Sequence, residues 1–205
     1  MTSVQNKPLS LYLIRHGQTE WSLSGRHTGS TDIPLTAHGE AQARALIPWI
    51  RQVQFELVLT SPRQRAKRTC ELVGLSRQEE IEPDLAEWDY GDYEGKTSAD
   101  IRKERPQWNV FQDGCPGGEL PAQVCDRVDR LIARLCTMNG NVALFSHGHF
   151  GSALAARWIR QPLVEAERFL LSTASLSILS HNPAHPEVRV IALWNATPRR
   201  FASTA

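Results

Sequence analysis

With 205 residues, 41% of them hydrophobic and 22% charged, the chain has the length and composition of one globular domain with a buried core. Twenty-three basic residues against 22 acidic ones leave a net charge of +1, which gives no reason to expect nucleic acid or a membrane surface as partner. No apolar run approaches membrane-spanning length and residues 1–8 are polar without a signal core, so the expected location is the cytoplasm.

Nineteen of the basic residues are Arg and four are Lys. The planar guanidinium suits two-point binding of phosphate or carboxylate, although genomic base composition accounts for the bias equally well. The four cysteines, Cys70, Cys115, Cys125 and Cys136, have neither CxxC nor zinc-finger spacing. They read as reduced and mostly buried, with Cys125 and Cys136 on one helix face.

In chain order, the apolar residues 11–14 stop at Arg15-His16-Gly17, which marks the end of a buried strand and the start of a permissive loop. Open α/β sheets bind ligands beyond strand ends, so Arg15 and His16 are site candidates. Residues 21–29 carry Gly and Ser and read as a long, functional loop. Thr36 caps a helix with Ala41, Ala45, Leu46 and Trp49 at helical spacing, kinked or stopped at Pro48. Residues 55–60 are a second strand. Ser61 as N-cap and Pro62 as first helical residue open a helix that Gly74 closes. Arg63, Lys67 and Arg68 read as its solvated face. Arg65 lies near a helix N-terminus just past a strand end, where an anion is favoured.

Residues 86–95 are aromatic and acidic without a clear period, as expected of a loop that lines a pocket. Thr97 to Asp100 cap a short helix ending before Pro106, residues 115–118 form a turn, and residues 119–138 form an amphipathic helix. Residues 141–146 make a third strand ending at His147-Gly148-His149, followed by a helix over 150–159. Residues 175–180 and 188–193 read as an antiparallel strand pair, and the last ten residues as a loose tail. Strands alternating with helices, without repeats or linkers, predict a single domain over residues 1–205. Its class is α/β: a three-layer α/β/α sandwich on a mostly parallel central sheet.

Parallel strands would bring Arg15, His16, Arg65 and His147 to one sheet edge. Cations packed so closely call for an anion among them, and the arrangement suits a phosphoryl group. A neutral imidazole there can attack phosphorus while its neighbours neutralise charge on the oxygens. Glu87 is the leading acid for the departing oxygen, with Asp89, Asp92 and Glu94 as rivals. His27, His38, His149, His181 and His185 read as surface or packing residues, although His149 is near enough to His147 to touch substrate. No metal site is expected, because the arginines would repel a cation.

The segments Arg15-His16-Gly17, Ser61-Pro62-x-x-Arg65-Ala66, Leu85-x-Glu87-x-x-Tyr90-Gly91, Pro116-Gly-Gly-Glu119 and Ser146-His147-Gly148 resemble, in kind and in order, the motifs of the histidine phosphatase superfamily. The resemblance is to the branch containing the cofactor-dependent phosphoglycerate mutases, and it spans nearly the whole chain. The runs 15–22 and 87–95 are similar to a sub-branch of acid phosphatases and sedoheptulose bisphosphatases.

This resemblance implies a phosphoglycerate mutase-like fold with no metal and no cofactor. It implies that His16 is the nucleophile that becomes phosphohistidine, that Arg15, Arg65 and His147 hold the phosphate, and that Glu87 is the acid/base. Thr28, Gly29 and Tyr90 match positions touching the organic part of the substrate, and Gly148 belongs with them. Ser22 stands where the mutases usually carry Asn and can still give phosphate one hydrogen bond.

The implied activity is hydrolysis of small phosphate monoesters such as sugar phosphates. A phosphoglycerate mutase-type transfer and a non-catalytic phosphate-binding module are the alternatives. The mutases build a lid from a long insertion before the second histidine. Residues 88–146 are largely occupied by predicted elements here, which favours hydrolysis. The expected partner is a small phosphorylated metabolite, with the chain acting alone or as a homodimer.

Overall fold

The apolar run that ends at the Arg-His pair becomes β1 (Ser10–Arg15), an inner strand of a six-stranded sheet. The computed structural model describes residues 7–198, so the polar N-terminal stretch up to residue 6 and residues 199–205 of the expected tail lie outside the described residues. The other strands are β2 (Leu57–Thr60), β3 (Glu79–Ile81), β4 (Asn141–Ser146), β5 (Leu176–His181) and β6 (Arg189–Ala196). Their order across the sheet is β3-β2-β4-β1-β5-β6. Parallel pairing joins β1 to β4, β4 to β2 and β2 to β3, while β5 runs antiparallel to both β1 and β6. The sheet is mostly parallel, as expected, with an antiparallel pair at one side.

Side-chain alternation divides the strands between two cores. Leu11 and Leu13 of β1, Leu59 of β2 and Val142 and Leu144 of β4 face one core, while Ile14, Val58, Ala143 and Phe145 face the other. The first core is covered by α7 (Pro121–Leu135) and α8 (Gly148–Trp158), through Val124, Val128, Leu131, Phe150 and Leu154. The second is covered by α2 (Ala37–Arg44), α3 (Ile47–Ile50) and α4 (Gln64–Leu72), with Leu46, Ile50, Ala66 and Cys70 packed inward. Strands buried on both faces between two helical layers form the predicted α/β/α sandwich.

Three further helices lie in the connections: α1 (Glu20–Ser24), α5 (Ser98–Glu104) and α6 (Val110–Asp113). The break expected at Pro48 comes earlier: α2 stops at Arg44, and Pro48 sits in the first turn of α3. All four cysteines are free; Cys70 and Cys115 are buried, Cys125 is half-buried, and Cys136 is exposed. Among the described residues no helix is long and apolar enough to cross a membrane.

The structure corrects two local readings. The loop expected over 21–29 begins inside α1, which Thr19 and Ser22 open with a reciprocal capping box and Gly25 closes. The helix expected from Pro62 starts two residues later, with Arg63 as N-cap. Ser61 Oγ accepts from the Arg63 N–H at 3.3 Å and also meets the His147 ring at 2.7 Å.

Candidate active site

Register assembles the site. Arg15 lies opposite Ser146 and Thr60 opposite Phe145, so the residues that follow β1, β2 and β4 leave the sheet side by side at their C-terminal ends. These residues are His16, Ser61 and His147. The His16 and His147 rings meet edge to face with centroids 5.2 Å apart, and both are buried. Gly17 makes the turn after the nucleophile candidate possible, because a Cβ there would come within 2.3 Å of the Gly39 carbonyl.

The hydrogen bonds fix the tautomers. His16 Nδ1 lies 2.7 Å from the Gly17 carbonyl, which can only accept, so Nδ1 carries the proton and Nε2 keeps its lone pair. Arg65 Nε donates to His147 Nδ1 at 3.2 Å, so the His147 proton sits on Nε2 and points to Ser61 Oγ. Burial, and then the guanidinium groups of Arg65 and Arg15, hold the His16 pKa well below its ordinary value. Burial, then Arg65, do the same for His147. Both rings are neutral at neutral pH.

The two arginines play different parts. Arg65 is fully buried behind the histidines, where its Nη groups donate to the carbonyls of Thr28, Gly29 and Thr31. It thus ties the 28–31 loop to the site. Arg15 lines the cavity; its Nη1 donates to the Leu171 carbonyl, and its Nε is buried with no partner. An orphaned guanidinium donor in a cavity wall is a ready contact for an anion. Gly148 completes this position: a Cβ there would stand 3.3 Å from Arg15 Cζ, pressing on the guanidinium.

Glu87 sits at the N-terminus of α8, buried and facing the cavity. Its Oε1 accepts from the backbone N–H groups of Trp88 and Phe150, whereas Oε2 accepts only from His149, so Oε2 has capacity for a proton or a ligand. Its rivals are engaged elsewhere. Asp89 and Asp92 are exposed outside the cavity, and Glu94 accepts from the N–H groups of Gly29 and Thr31. Behind Glu87, the Glu119 carboxylate and Arg127 form a two-point ion pair. Arg127 Nη1 donates to the carbonyls of Asp84 and Ala86, and Glu119 Oε2 accepts from Asp89 N–H. The segment that carries Glu87 is therefore clamped from outside the cavity.

The cavity has a volume of about 270 Å³. Of the residues singled out from the sequence, Arg15, His16, Ser22, Thr28, Glu87, Tyr90 and Gly148 line it, whereas Arg65, Gly29 and His147 lie behind its wall. Ser22 Oγ is engaged with Thr19 in the capping box. Two residues read as packing positions, His27 and His149, also line the cavity. His27 stacks on Tyr90 at 4.6 Å between centroids, and the Tyr90 hydroxyl meets His149 Nδ1 at 2.7 Å. Burial, reinforced by His149, lowers the His27 pKa to about 4. The sequence signal for both was adjacency, since His27 precedes Thr28-Gly29 and His149 follows His147-Gly148. Among the described residues no group of three or more His, Cys, Asp or Glu side chains could hold a metal ion.

Comparison with known proteins identifies the family. The profile of the histidine phosphatase superfamily (branch 1) matches residues 11–195. An acid phosphatase of Mycobacterium tuberculosis is 43% identical over 187 residues, covering 89% of this chain and 92% of that protein. A sedoheptulose 1,7-bisphosphatase of Saccharomyces cerevisiae is 38% identical over 179 residues, covering 71% of this chain and 66% of the yeast protein. Among solved structures, an α-ribazole-5′-phosphate phosphatase candidate from Escherichia coli superposes with a TM-score of 0.81 at 32% identity, covering 93% of this chain and 97% of the other. The profile match spans the strands and loops that deliver His16, Arg65, Glu87 and His147 to one sheet edge, and the chain belongs to the histidine phosphatase superfamily, branch 1.

Proposed function

We propose that the chain hydrolyses small phosphate monoesters, sugar phosphates or similar metabolites, through a phosphohistidine on His16. The observation that carries this reading is the pairing of a free Nε2 lone pair on a neutral, buried His16 with the unpartnered Nε–H of Arg15 in the same cavity. His16 Nε2 attacks phosphorus, the bond from phosphorus to the ester oxygen breaks, and that oxygen takes a proton from Glu87 Oε2. Arg15 donates to the phosphoryl oxygens as their charge grows, and Arg65 adds positive charge from behind the histidine pair. The Nε2–H of His147 lies on Ser61 behind the cavity wall and has to give up that bond to reach a phosphoryl oxygen. Water then attacks the phosphohistidine, giving its proton to Glu87, and the P–N bond breaks to release phosphate and free His16.

Hydrolysis is favoured over a mutase by how little covers the site. From residues 88–146 only Tyr90 and Ser98 reach the cavity wall, which leaves water a path to the phosphoenzyme. Phosphatase names among the relatives support the same choice.

The test is a rapid alkaline quench after mixing with radiolabelled substrate. Label should be trapped on the wild-type chain and absent from His16→Ala, which should show no turnover. Steady turnover by His16→Ala would overturn the covalent mechanism. Conversion of 3-phosphoglycerate to 2-phosphoglycerate with negligible phosphate release would overturn the hydrolytic assignment.

A further inference from the structure

Among the described residues the Arg15 guanidinium makes one hydrogen bond: Nη1 donates to the Leu171 carbonyl, while Nε has no partner. Residues 169–175, which supply that carbonyl, lie between a 3₁₀ turn ending at Arg168 and the start of β5, and belong to neither helix nor strand. Their position therefore comes from bonds to other elements. Ser152 Oγ donates to the Phe169 carbonyl, and the Ala174 N–H donates to the His16 carbonyl at 3.0 Å. The Arg15 N–H donates to the Ser175 carbonyl at 3.1 Å.

The two residues flanking Leu171 are both held from β6, the edge strand. Trp194 Nε1 donates to the Leu170 carbonyl at 2.9 Å, and the Ser172 N–H donates to Asn195 Oδ1 at 2.7 Å. Both anchors come from a bulge. Leu176 faces Ala196 and Ile178 faces Leu193, so Trp194 and Asn195 together stand opposite the single Ser177. Asn195 has a φ of +53°, a left-handed conformation that asparagine enters more readily than most side chains. Its own N–H donates to Ser177 Oγ at 3.0 Å, which pins the bulge to β5.

We propose that Asn195, supported by Trp194, is a positioning residue for Arg15. The bulge fixes the Leu171 carbonyl from both sides, and that carbonyl holds the guanidinium with Nε free for a phosphoryl oxygen. Neither Trp194 nor Asn195 lines the cavity, so both act through Leu171. The inference rests on the reading of Arg15 as a phosphoryl-binding group.

The test measures kcat/KM for p-nitrophenyl phosphate and the dissociation constant for vanadate, a phosphoryl mimic whose binding needs no turnover. Asn195→Gly keeps the left-handed backbone free of strain and removes the acceptor. It should lower kcat/KM and weaken vanadate about tenfold, as expected for a slightly misplaced charged group, with Tm down by no more than about 4 °C. Asn195→Asp retains an acceptor and should recover most of the loss. Trp194→Phe removes the indole N–H but keeps a ring against Phe169, and should act in the same direction at about threefold. In an Arg15→Ala background each substitution should change both quantities by less than about twofold, because the group it positions is gone. Equal losses with and without Arg15, or unchanged constants in both Asn195→Gly and Trp194→Phe, would overturn the proposal. An Arg15-dependent loss of vanadate binding in a chain that hydrolyses no ester would support the positioning role and overturn only the hydrolytic reading.

Discussion

Replacing Arg127 with Met removes the clamp behind Glu87 while keeping an aliphatic stem. The side chains of Arg127 and Glu119 are 10% and 20% exposed, so the pair is largely shielded from water. Losing it leaves the Glu119 carboxylate without its guanidinium, at about 2 kcal/mol, and orphans the Asp84 and Ala86 carbonyls, at about 1 kcal/mol each. The guanidinium also lies 4.8 Å from the Phe150 ring centroid, a contact of about 0.5 kcal/mol. The sum is about 4.5 kcal/mol, or roughly 9–18 °C in Tm for a chain of this size. Urea unfolding should show this as a lower midpoint at unchanged slope. A cycle with Glu119→Gln should give a coupling of at least about 1 kcal/mol. Because the loosened segment carries Glu87, kcat for an alkyl phosphate should also fall more than kcat for p-nitrophenyl phosphate. A stability loss below about 1 kcal/mol, or equal kinetic losses on both esters, would refute the clamp.

Glu87→Gln should reduce turnover of alkyl phosphates strongly and that of aryl phosphates little; equal losses would move the acid role elsewhere. Gly148→Ala should lower kcat/KM about tenfold with little change in Tm, because its Cβ presses on Arg15 without entering a packed core; unchanged kinetics would count against the placement of Arg15. Stability should fall in acid, since His27 is an ordinary imidazole in the unfolded chain but has a pKa of about 4 when folded. The unfolded state alone binds the proton as pH drops below about 6.5, so the loss grows to about 3 kcal/mol near pH 4 and then levels off; His27→Phe should flatten that part of the urea midpoint profile. Activity should survive EDTA, because arginines supply the positive charge at the phosphoryl site; loss in chelator with recovery on adding Mg²⁺ or Zn²⁺ would contradict this.

What was legible in the sequence is what uninterrupted local signals specify. The strands β1, β2 and β4 are short apolar runs ending at sharp punctuation, and their ends carry His16, Ser61 and His147. β3 escaped notice because Glu79–Ile81 has no apolar pattern; only pairing with β2 makes it a strand. α6 is four residues capped by Asn109, too short for a period to show. The roles of His27 and His149 depend on loops that meet only in three dimensions, where Tyr90 joins them. Arg65 could be placed near a helix start, but not its burial behind the histidines, which depends on the carbonyls of residues 28, 29 and 31.

The position of β1 in the sheet has a consequence for how the chain reaches its native state. Leu11 pairs with Val142 on one side and with Leu179 on the other, so both neighbours of the strand that delivers His16 lie more than a hundred residues downstream. At translation speeds of about 5–20 residues per second, this apolar strand waits many seconds for a partner. Its ladder forms by long-range pairing, the slow kind, after most of the chain exists. The candidate site is thus assembled late, and recovery of turnover during refolding should report closure of the whole sheet.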